Sequence, residues 1–467
     1  MPSKPNGRPN FLVFMTEQHR GDRLSIEGHP VLLTPNMDEI GARGCRFTRA
    51  YSTCPICVPA RRSFLSGQLP STHRFFTNCN IEWDGPTVAG ELSKAGYHTC
   101  WVGRSMHQTP PRKRYGFDHV VMNGHPAPLD DYDEFLSAHQ PKGAGGYYGT
   151  GVMHNDWTAR PWHMDEGLHH TNWTVNLALE FLRKRDPSCP FFLVVSFVAA
   201  HPPLIPPAFY LERYLRTGVP EPPIGDWATP PQHDGLGGGV SARKVKLTGE
   251  ALLSARAGYY GLINHVDDQI HRLLNNITGV DRMTDNNTIV IFCSDHGEML
   301  GDHYAWAKSL PYEGAARIPL LIRAPERFGI KPATVVDAPV GLEDIMPTVL
   351  EMAGVSIPTT VEGKSLLPLM QGKQVAWRPW IHIEYQYGTG FQCLTDGRQK
   401  YIWFTDDGRE QFFDLVADPQ ERRNLIHASD RAERIAWWRS QLVETLTGRP
   451  EGYSDGQRLL PRPTNKA

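Results

Sequence analysis

The chain has 467 residues, 40% of them hydrophobic, and its 48 Lys and Arg nearly cancel its 50 Asp and Glu to leave a formal net charge of -2. That length can bury one large core with a smaller domain beside it, and the near-neutral balance argues against nucleic acid or a membrane surface as the main partner. No apolar run reaches membrane-spanning length, and the first one, Phe11 to Met15, is too short for a secretory signal, so a cytoplasmic location with reduced cysteines is expected.

Four short apolar runs each lead into polar residues able to do chemistry. Phe11-Leu12-Val13-Phe14 leads to Glu17 and Gln18, and Thr99-Cys100-Trp101-Val102 to Arg104 and His107. Phe191 to Val198 leads to His201, and Ile289-Val290-Ile291-Phe292 to Asp295 and His296. Runs this short, rich in Val, Ile and Phe, suit parallel strands buried on both faces. Helical patterns lie between them. Thr171 to Leu182 aligns Val175, Ala178, Leu179 and Leu182; Glu250 to Leu274 aligns Leu252, Tyr259, Ile263, Val266, Ile270 and Leu273, with Asp267 and Asp268 outside that face. The alternation predicts an α/β fold, a large doubly wound, mostly parallel sheet with helices on both faces. Such sheets bind ligands beyond the carboxyl ends of their strands, so the four polar clusters are expected to meet at one edge.

Two stretches, His139 to Trp162 and Pro220 to Val240, read as loops that either shape a pocket or run over the surface. After about residue 375 the pattern changes. Trp380 to Ile383, Phe391 to Leu394, Lys400 to Phe404 and Gln411 to Leu415 read as short strands, with hairpin-type turns at Asp396-Gly397 and Asp407-Gly408. Arg431 to Leu446 reads as a helix. The expected division is a catalytic α/β domain over 1–375 and a C-terminal subdomain over 376–467, a small antiparallel sheet with one helix.

Cys57 opens the most informative string, Cys57-Val58-Pro59-Ala60-Arg61-Arg62-Ser63-Phe64-Leu65-Ser66-Gly67. Pro59 suits the first turn of a helix and Gly67 its end. The sulfur would then sit at a helix N-terminus, where backbone N–H groups and the dipole favour negative charge. Cys54 and Cys57 also form a C-x-x-C, but a zinc site needs two more ligands at set spacing and the chain has no second C-x-x-C. Glu17, Gln18, Asp295 and His296 offer two carboxylates, an amide oxygen and an imidazole, a set suited to a divalent cation.

Cys57-Val58-Pro59-Ala60-Arg61, with Leu65-Ser66-Gly67 behind it, resembles the sulfatase signature Cys-x-Pro-Ser/Ala-Arg followed by Leu-x-Gly. Ser294-Asp295-His296-Gly297-Glu298, then Gly301-Asp302-His303, resembles the metal-binding segment of sulfatases and related phosphohydrolases. Its Asp-His pair, where many sulfatases carry Asp-Asn, resembles the branch containing choline sulfatase and phosphonate monoester hydrolase. His201-Pro202-Pro203 resembles the family's His-x-Pro, and Lys308 with Tyr312-Glu313 its Lys-(x)3-Tyr-Glu. Gly103-Arg104-Ser105-Met106-His107 resembles Gly-Lys-x-His, with arginine for lysine and one residue inserted. Glu17 stands where the family usually has Asp. Thr34-Pro35-Asn36-Met37-Asp38 and the series Phe413-Asp414-Leu415, Asp418-Pro419, Asn424-Leu425 resemble structural segments of the same family, so the resemblance runs from about residue 9 to 445.

The resemblance implies an alkaline phosphatase-like fold and hydrolysis of a sulfate monoester to inorganic sulfate. It implies that a separate maturation enzyme converts Cys57 to formylglycine, and that one divalent metal ion, Ca2+ or Mn2+, is held by Glu17, Gln18, residue 57, Asp295 and His296. The histidine ligand shifts preference from calcium toward manganese or zinc. It further implies that one hydroxyl of the hydrated aldehyde attacks sulfur while Arg61, Lys308 and Arg104 neutralise the sulfuryl oxygens. His201 or Lys308 protonates the leaving oxygen, and His107 takes the proton of the second hydroxyl. The implied partner is a small sulfated substrate, aryl, carbohydrate or choline-like, with no nucleic acid and no membrane. Trp157, Trp162, Trp173, Tyr147 and Tyr148 either stack on its ring, cage a quaternary ammonium, or belong to the core. A phosphonate monoester or phosphodiester hydrolase is the alternative on the same scaffold, disfavoured by the charge of Arg104 and His107. A third reading is a non-catalytic metal- or anion-binding relative. The tail from Arg458 to Ala467 offers a contact for a homo-oligomer, or extends free.

Overall fold

Every residue of Asn10–Glu17 is buried, and its side chains alternate between two cores: Leu12 and Phe14 face one, Phe11, Val13 and Met15 the other. The same alternation runs through Phe191–Ala200 and Thr288–Ser294. That is the pattern of a sheet covered on both faces. The computed structural model describes residues 7–124, 130–231, 239–280 and 287–462. Within them the strands are β1 (Asn10–Glu17), β2 (Cys45–Phe47), β3 (Ala50–Tyr51), β4 (His98–Arg104), β5 (His119–Asn123), β6 (Phe191–Ala200) and β7 (Thr288–Ser294). Then follow β8 (Leu320–Arg323), β9 (Thr334–Val336), β10 (Val340–Gly341), β11 (Ile381–Tyr385), β12 (Phe391–Thr395), β13 (Gln399–Phe404) and β14 (Glu410–Asp414).

The main sheet has eight strands in the order β5-β4-β6-β1-β7-β8-β2-β9. The run from β5 to β7 is parallel, β8 is antiparallel to both neighbours, and β9 is parallel to β2. Helices Pro35–Ala42, His170–Lys184, Ala208–Thr217 and Gly249–Val280 contribute to the core on one face. Helices Cys57–Ser66, Val88–Lys94 and Ile345–Ala353 contribute to the core on the other. The expected doubly wound α/β architecture is therefore present. The short strands β2, β3, β8, β9 and β10 were not expected, because two to four residues carry no readable period.

The C-terminal sheet is antiparallel, β11-β12-β13-β14. One face, with Leu394, Tyr401, Trp403 and Phe412, is covered by Ile435, Trp438, Leu442 and Leu446 of the Ala432–Leu446 helix. The opposite face, with Ile383, Phe391, Cys393, Ile402 and Phe413, packs on Tyr51, Cys54, Ile56 and Tyr312. The small sheet thus braces the segment leading into residue 57. Gly397 and Gly408 both take positive φ, 77° and 73°, as the expected turns require.

One expectation for the long helix is overturned. Asp267 was placed outside the buried face, yet it is 0% exposed. Its carboxylate accepts N–H bonds from Met37 at 2.8 Å and Asn36 at 3.2 Å, meeting orphan donors at the N-terminus of the Pro35–Ala42 helix. Part of the Pro220 to Val240 loop and the last residues of the tail, 232–238 and 463–467, lie outside the described residues. No helix among the described residues is long and apolar enough to cross a membrane.

Buried imidazoles make the fold sensitive to acid. Burial holds His19 down to about 4 and His73 to about 3. Both are neutral in the folded chain and gain a proton more readily once unfolded. Their contribution is complete above the ordinary histidine value of ~6.5 and is lost as pH falls toward the folded values. The melting temperature should therefore fall between pH 7.5 and pH 5 in a thermal scan. An unchanged melting temperature would contradict neutral, buried imidazoles.

Candidate active site

The four neighbouring parallel strands β4, β6, β1 and β7 end side by side. Glu17 closes β1 and pairs in register with Ala200 at the end of β6, while Thr16 pairs with Ser294 at the end of β7. Arg104 closes β4, His201 follows β6, and Asp295 and His296 follow β7. The polar clusters expected to share one edge do share it.

Cys57 begins the Cys57–Ser66 helix, whose N-cap, Ile56, is extended and whose C-cap, Gly67, is left-handed with φ 67°. Pro59 lies in the first turn, where its missing N–H costs nothing. Arg61, one turn on, shares the face of Cys57. Its Nε donates to Asp295 Oδ2 at 3.0 Å and its Nη1 to Ser196 Oγ at 3.0 Å, with both charged partners 0% exposed. Cys57 Sγ lies 3.2 Å from Glu17 Oε1 and 3.3 Å from His296 Nε2. Burial pushes the thiol up to about 12, more than Lys308 offsets. The helix N-terminus therefore does not make the unmodified sulfur anionic, contrary to the expectation from its position alone.

Glu17 is held by Arg104 through two bonds, Nε to Oε2 at 2.5 Å and Nη2 to Oε1 at 3.2 Å. Burial works against the Glu17 charge, but Arg104, with Arg61 and Lys308, outweighs it and holds the carboxyl well below its usual range. Arg104 is aimed there by Gly103. That residue has φ 95°, and a Cβ on it would meet the Ser196 carbonyl oxygen at 2.0 Å.

Asp295, His296 and Cys57 place one ligand atom each within 4.8 Å of one another, and Glu17, Cys57 and His107 do the same. His296 lies 2.9 Å from the Gly297 carbonyl through Nδ1, which therefore carries the proton and leaves the Nε2 lone pair facing the cluster. Burial holds this imidazole down to about 4, so it is neutral, as a metal ligand must be. The donor set fits a divalent cation.

The Gln18 amide is bonded at both ends: its Oε1 accepts from Lys308 Nζ at 2.7 Å, and its Nε2 donates to Glu298 Oε2. Glu298, given no role by its sequence context, anchors this chain. Its Oε1 takes the N–H groups of Leu300 at 2.8 Å and Ala307 at 2.5 Å. The signal for it was its position three residues past Asp295, beside the proposed ligands. Ser196 carried no signal at all, because it is one polar residue inside an apolar strand.

His201 and His107 are both kept neutral by burial, assisted by Lys308 for the first and Arg104 for the second. His201 Nδ1 lies 2.6 Å from the Pro202 carbonyl. Three nitrogens around this site find no partner among the described residues although they are buried: Arg61 Nη2, Arg104 Nη1 and His107 Nε2. The two guanidinium nitrogens are donors left open at one place, a pairing suited to an oxygen-rich ligand. Of the candidate aromatics, Trp162, Trp173 and Tyr147 pack with Tyr132 and Leu136 in a core cluster, with Tyr148 against it. Trp157 belongs to the main core on one face of the sheet and also borders a cleft beside Lys308.

A buried cluster of side chains able to hold a cation lies beside open guanidinium nitrogens at the carboxyl edge of the mixed sheet. The sulfatase family model matches residues 9–355, and a model for the C-terminal region of N-sulphoglucosamine sulphohydrolase matches residues 301–447. The chain belongs to the sulfatase family. It is 40% identical over 471 residues to an arylsulfatase of Clostridium perfringens, covering 97% of each chain. It is 30% identical to a choline-sulfatase of Rhizobium meliloti, over 90% of this chain and 82% of that one. The phosphonate monoester hydrolase of Agrobacterium radiobacter shares the fold, with a TM-score of 0.79, 24% identity, and coverage of 94% of this chain and 95% of that one.

The left-handed turn at Gly103 is open to test. Gly103→Ala adds strain of about 1–3 kcal/mol before any clash with the Ser196 carbonyl is counted. It should lower the unfolding midpoint in urea and displace Arg104 from Glu17. A variant with the normal midpoint would show that the turn is not required.

Proposed function

We propose that the protein hydrolyses sulfate monoesters and releases inorganic sulfate at the edge formed by β1, β4, β6 and β7. The observation that carries this reading is the pair of unpartnered buried guanidinium nitrogens, on Arg61 and Arg104, beside a cluster of side chains able to hold a cation. A tetrahedral oxyanion offers what they lack. The family match supports the same reading, and the name of the Clostridium relative suggests aryl esters among the substrates.

A divalent cation, Ca2+ or Mn2+, would be held by Glu17, residue 57, Asp295 and His296, and would lower the pKa of an oxygen nucleophile and neutralise sulfuryl charge. Formylglycine made from Cys57 by a maturation enzyme would supply that nucleophile as one hydroxyl of its hydrate. The chain's own residues do the rest. Arg61 and Arg104 are pinned by Asp295 and Glu17, so each presents its remaining N–H to the substrate without reorganising. His107, neutral with Nε2 open, is the proton acceptor for the second hydroxyl. Of the two candidates for protonating the leaving oxygen, Lys308 fits better. His201 is neutral with its proton on Nδ1, toward Pro202, so its Nε2 has none to give. Gln18 orients the Lys308 ammonium. In the proposed division all these groups lie in 1–375, and 376–467 supports them.

The Asp295-His296 pair and the fold shared with the Agrobacterium enzyme favour a second reading, hydrolysis of phosphonate monoesters. The charges of Arg104 and Lys308 suit a tightly held sulfate better.

Cys57→Ala should abolish turnover of 4-nitrophenyl sulfate, and mass spectrometry of the peptide containing residue 57 should show aldehyde in place of thiol. Normal activity in the variant would refute the nucleophile. Parallel kinetics with phenylphosphonate monoesters should favour the sulfate; the opposite ratio would reverse the choice of reaction. Dialysis against a chelator should remove activity, and Ca2+ or Mn2+ should restore it. Full activity after exhaustive chelation would exclude the cation.

A further inference from the structure

Arg62 follows Arg61 on the Cys57–Ser66 helix, and a step of about 100° carries its side chain to a different face. It is 1% exposed. Three rings close around it: its guanidinium carbon lies 4.5 Å from the centre of Tyr115, 4.8 Å from Trp83 and 4.9 Å from Phe75. Nη2 donates to Tyr115 Oη at 3.1 Å, while Nε and Nη1 have no hydrogen-bond partner among the described residues. A buried charge ordinarily needs an anion. No carboxylate bonds this one, and the negative faces of the rings take that place.

The rings come from two stretches that border the site. Phe75 and Trp83 bracket residues 75–83. Within them Asn78 Oδ1 accepts the Val58 N–H at 3.0 Å, meeting one orphan donor at the start of the helix that carries residue 57. Tyr115 ends the second stretch, which follows β4 and begins at His107. Its Oη also accepts the Thr109 N–H at 3.3 Å, two residues past His107. His107 and Tyr115 are non-glycine residues with positive φ, 53° and 46°. Such a backbone persists where its surroundings over-determine it. Lys113 adds ion pairs to Glu82 at 2.9 Å and Asp84 at 2.5 Å. Both carboxylates are exposed, so these pairs contribute little. The holding falls to the caged cation.

We propose that Arg62 is a positioning residue: its caged charge clamps the 107–115 stretch, through Tyr115 and Thr109, and so holds His107 in place for proton transfer. The role of His107 rests on the sulfate-ester reading, while the clamp stands on its contacts alone. A side chain that only filled space would be replaced without loss by an apolar one of like length. A clamp built on charge would not.

Three variants separate the contributions. Arg62→Met keeps the length and removes the charge, Arg62→Lys keeps the charge and removes the fork, and Tyr115→Phe keeps the cage and removes the link to Thr109. Amide hydrogen exchange would be followed in peptides from 107–115, from 75–83 and from the Ala432–Leu446 helix, and turnover of 4-nitrophenyl sulfate in protein carrying the aldehyde at residue 57. Arg62→Met should speed exchange in both stretches about tenfold or more and leave the C-terminal helix unchanged, and Arg62→Lys should restore most of the protection. Tyr115→Phe should loosen 107–115 and leave 75–83 protected; it and the lysine variant decide the matter if Arg62→Met does not fold. His107 serves the second half of the reaction, after the phenol has left. Its displacement should lower kcat about tenfold to a hundredfold, hold kcat/KM within about threefold, and produce a burst of 4-nitrophenol in the first turnover. Unchanged exchange in Arg62→Met, an equal rise in the C-terminal helix, or a lysine variant no better than methionine would overturn the clamp. Loosened stretches with normal kcat would overturn its link to His107. A parent that splits no sulfate ester, with exchange responding as described, would refute the reaction and support the clamp.

Discussion

Two carboxylates buried at the carboxyl edge of the sheet, each clamped by an arginine, are the constraint on which the site depends. Asp295 holds Arg61 and Glu17 holds Arg104, and all four side chains are at most 3% exposed. Removing either partner would strand a charge where water cannot reach it, which is the costly way to break a buried pair. Because each pair is balanced, the guanidinium groups are fixed before any substrate arrives. Their unpartnered nitrogens are the part of the charge left over for an oxyanion. The added cation, Lys308, tips the neighbourhood of residue 57 toward the positive side.

Two of the positions at which this chain departs from the pattern it resembles, Glu17 and Arg104, touch each other. The longer acid reaches past the strand end and the forked cation meets it with two nitrogens, where a lysine would offer a point charge. Neither departure removes the site. A second chain of contacts, Glu298 to Gln18 to Lys308, fixes the orientation of the Gln18 amide. Both networks work by satisfying one end of a side chain so that the other end has a single direction left.

The small C-terminal sheet contributes no side chain to the chemistry. Its inner face packs against Cys54 and Ile56, so it fixes the path by which the chain enters the Cys57–Ser66 helix. Aromatic residues of the loop between 139 and 162 divide in a comparable way. Most of them build a local core with Tyr132, and Trp157 joins the main core against the sheet.

Much of the fold was legible from the chain alone. Continuous apolar runs followed by polar residues marked β1, β4, β6 and β7, because a strand covered on both faces must be apolar throughout and gives way to polar residues at the carboxyl edge where ligands bind. Pro59 and Gly67 bounded the Cys57–Ser66 helix because their backbone preferences are local. Strands of two to four residues, the buried capping role of Asp267, the partner of Gln18 and the part played by Ser196 and Glu298 were not legible. Each depends on an atom tens or hundreds of residues away along the chain. Local sequence determines which residues can sit at a strand end or helix start, since φ and ψ preferences are set by the residue and its near neighbours. Only the tertiary structure decides which charge answers which, because a buried carboxylate, amide or indole takes its role from whatever partner the packing brings within hydrogen-bond reach.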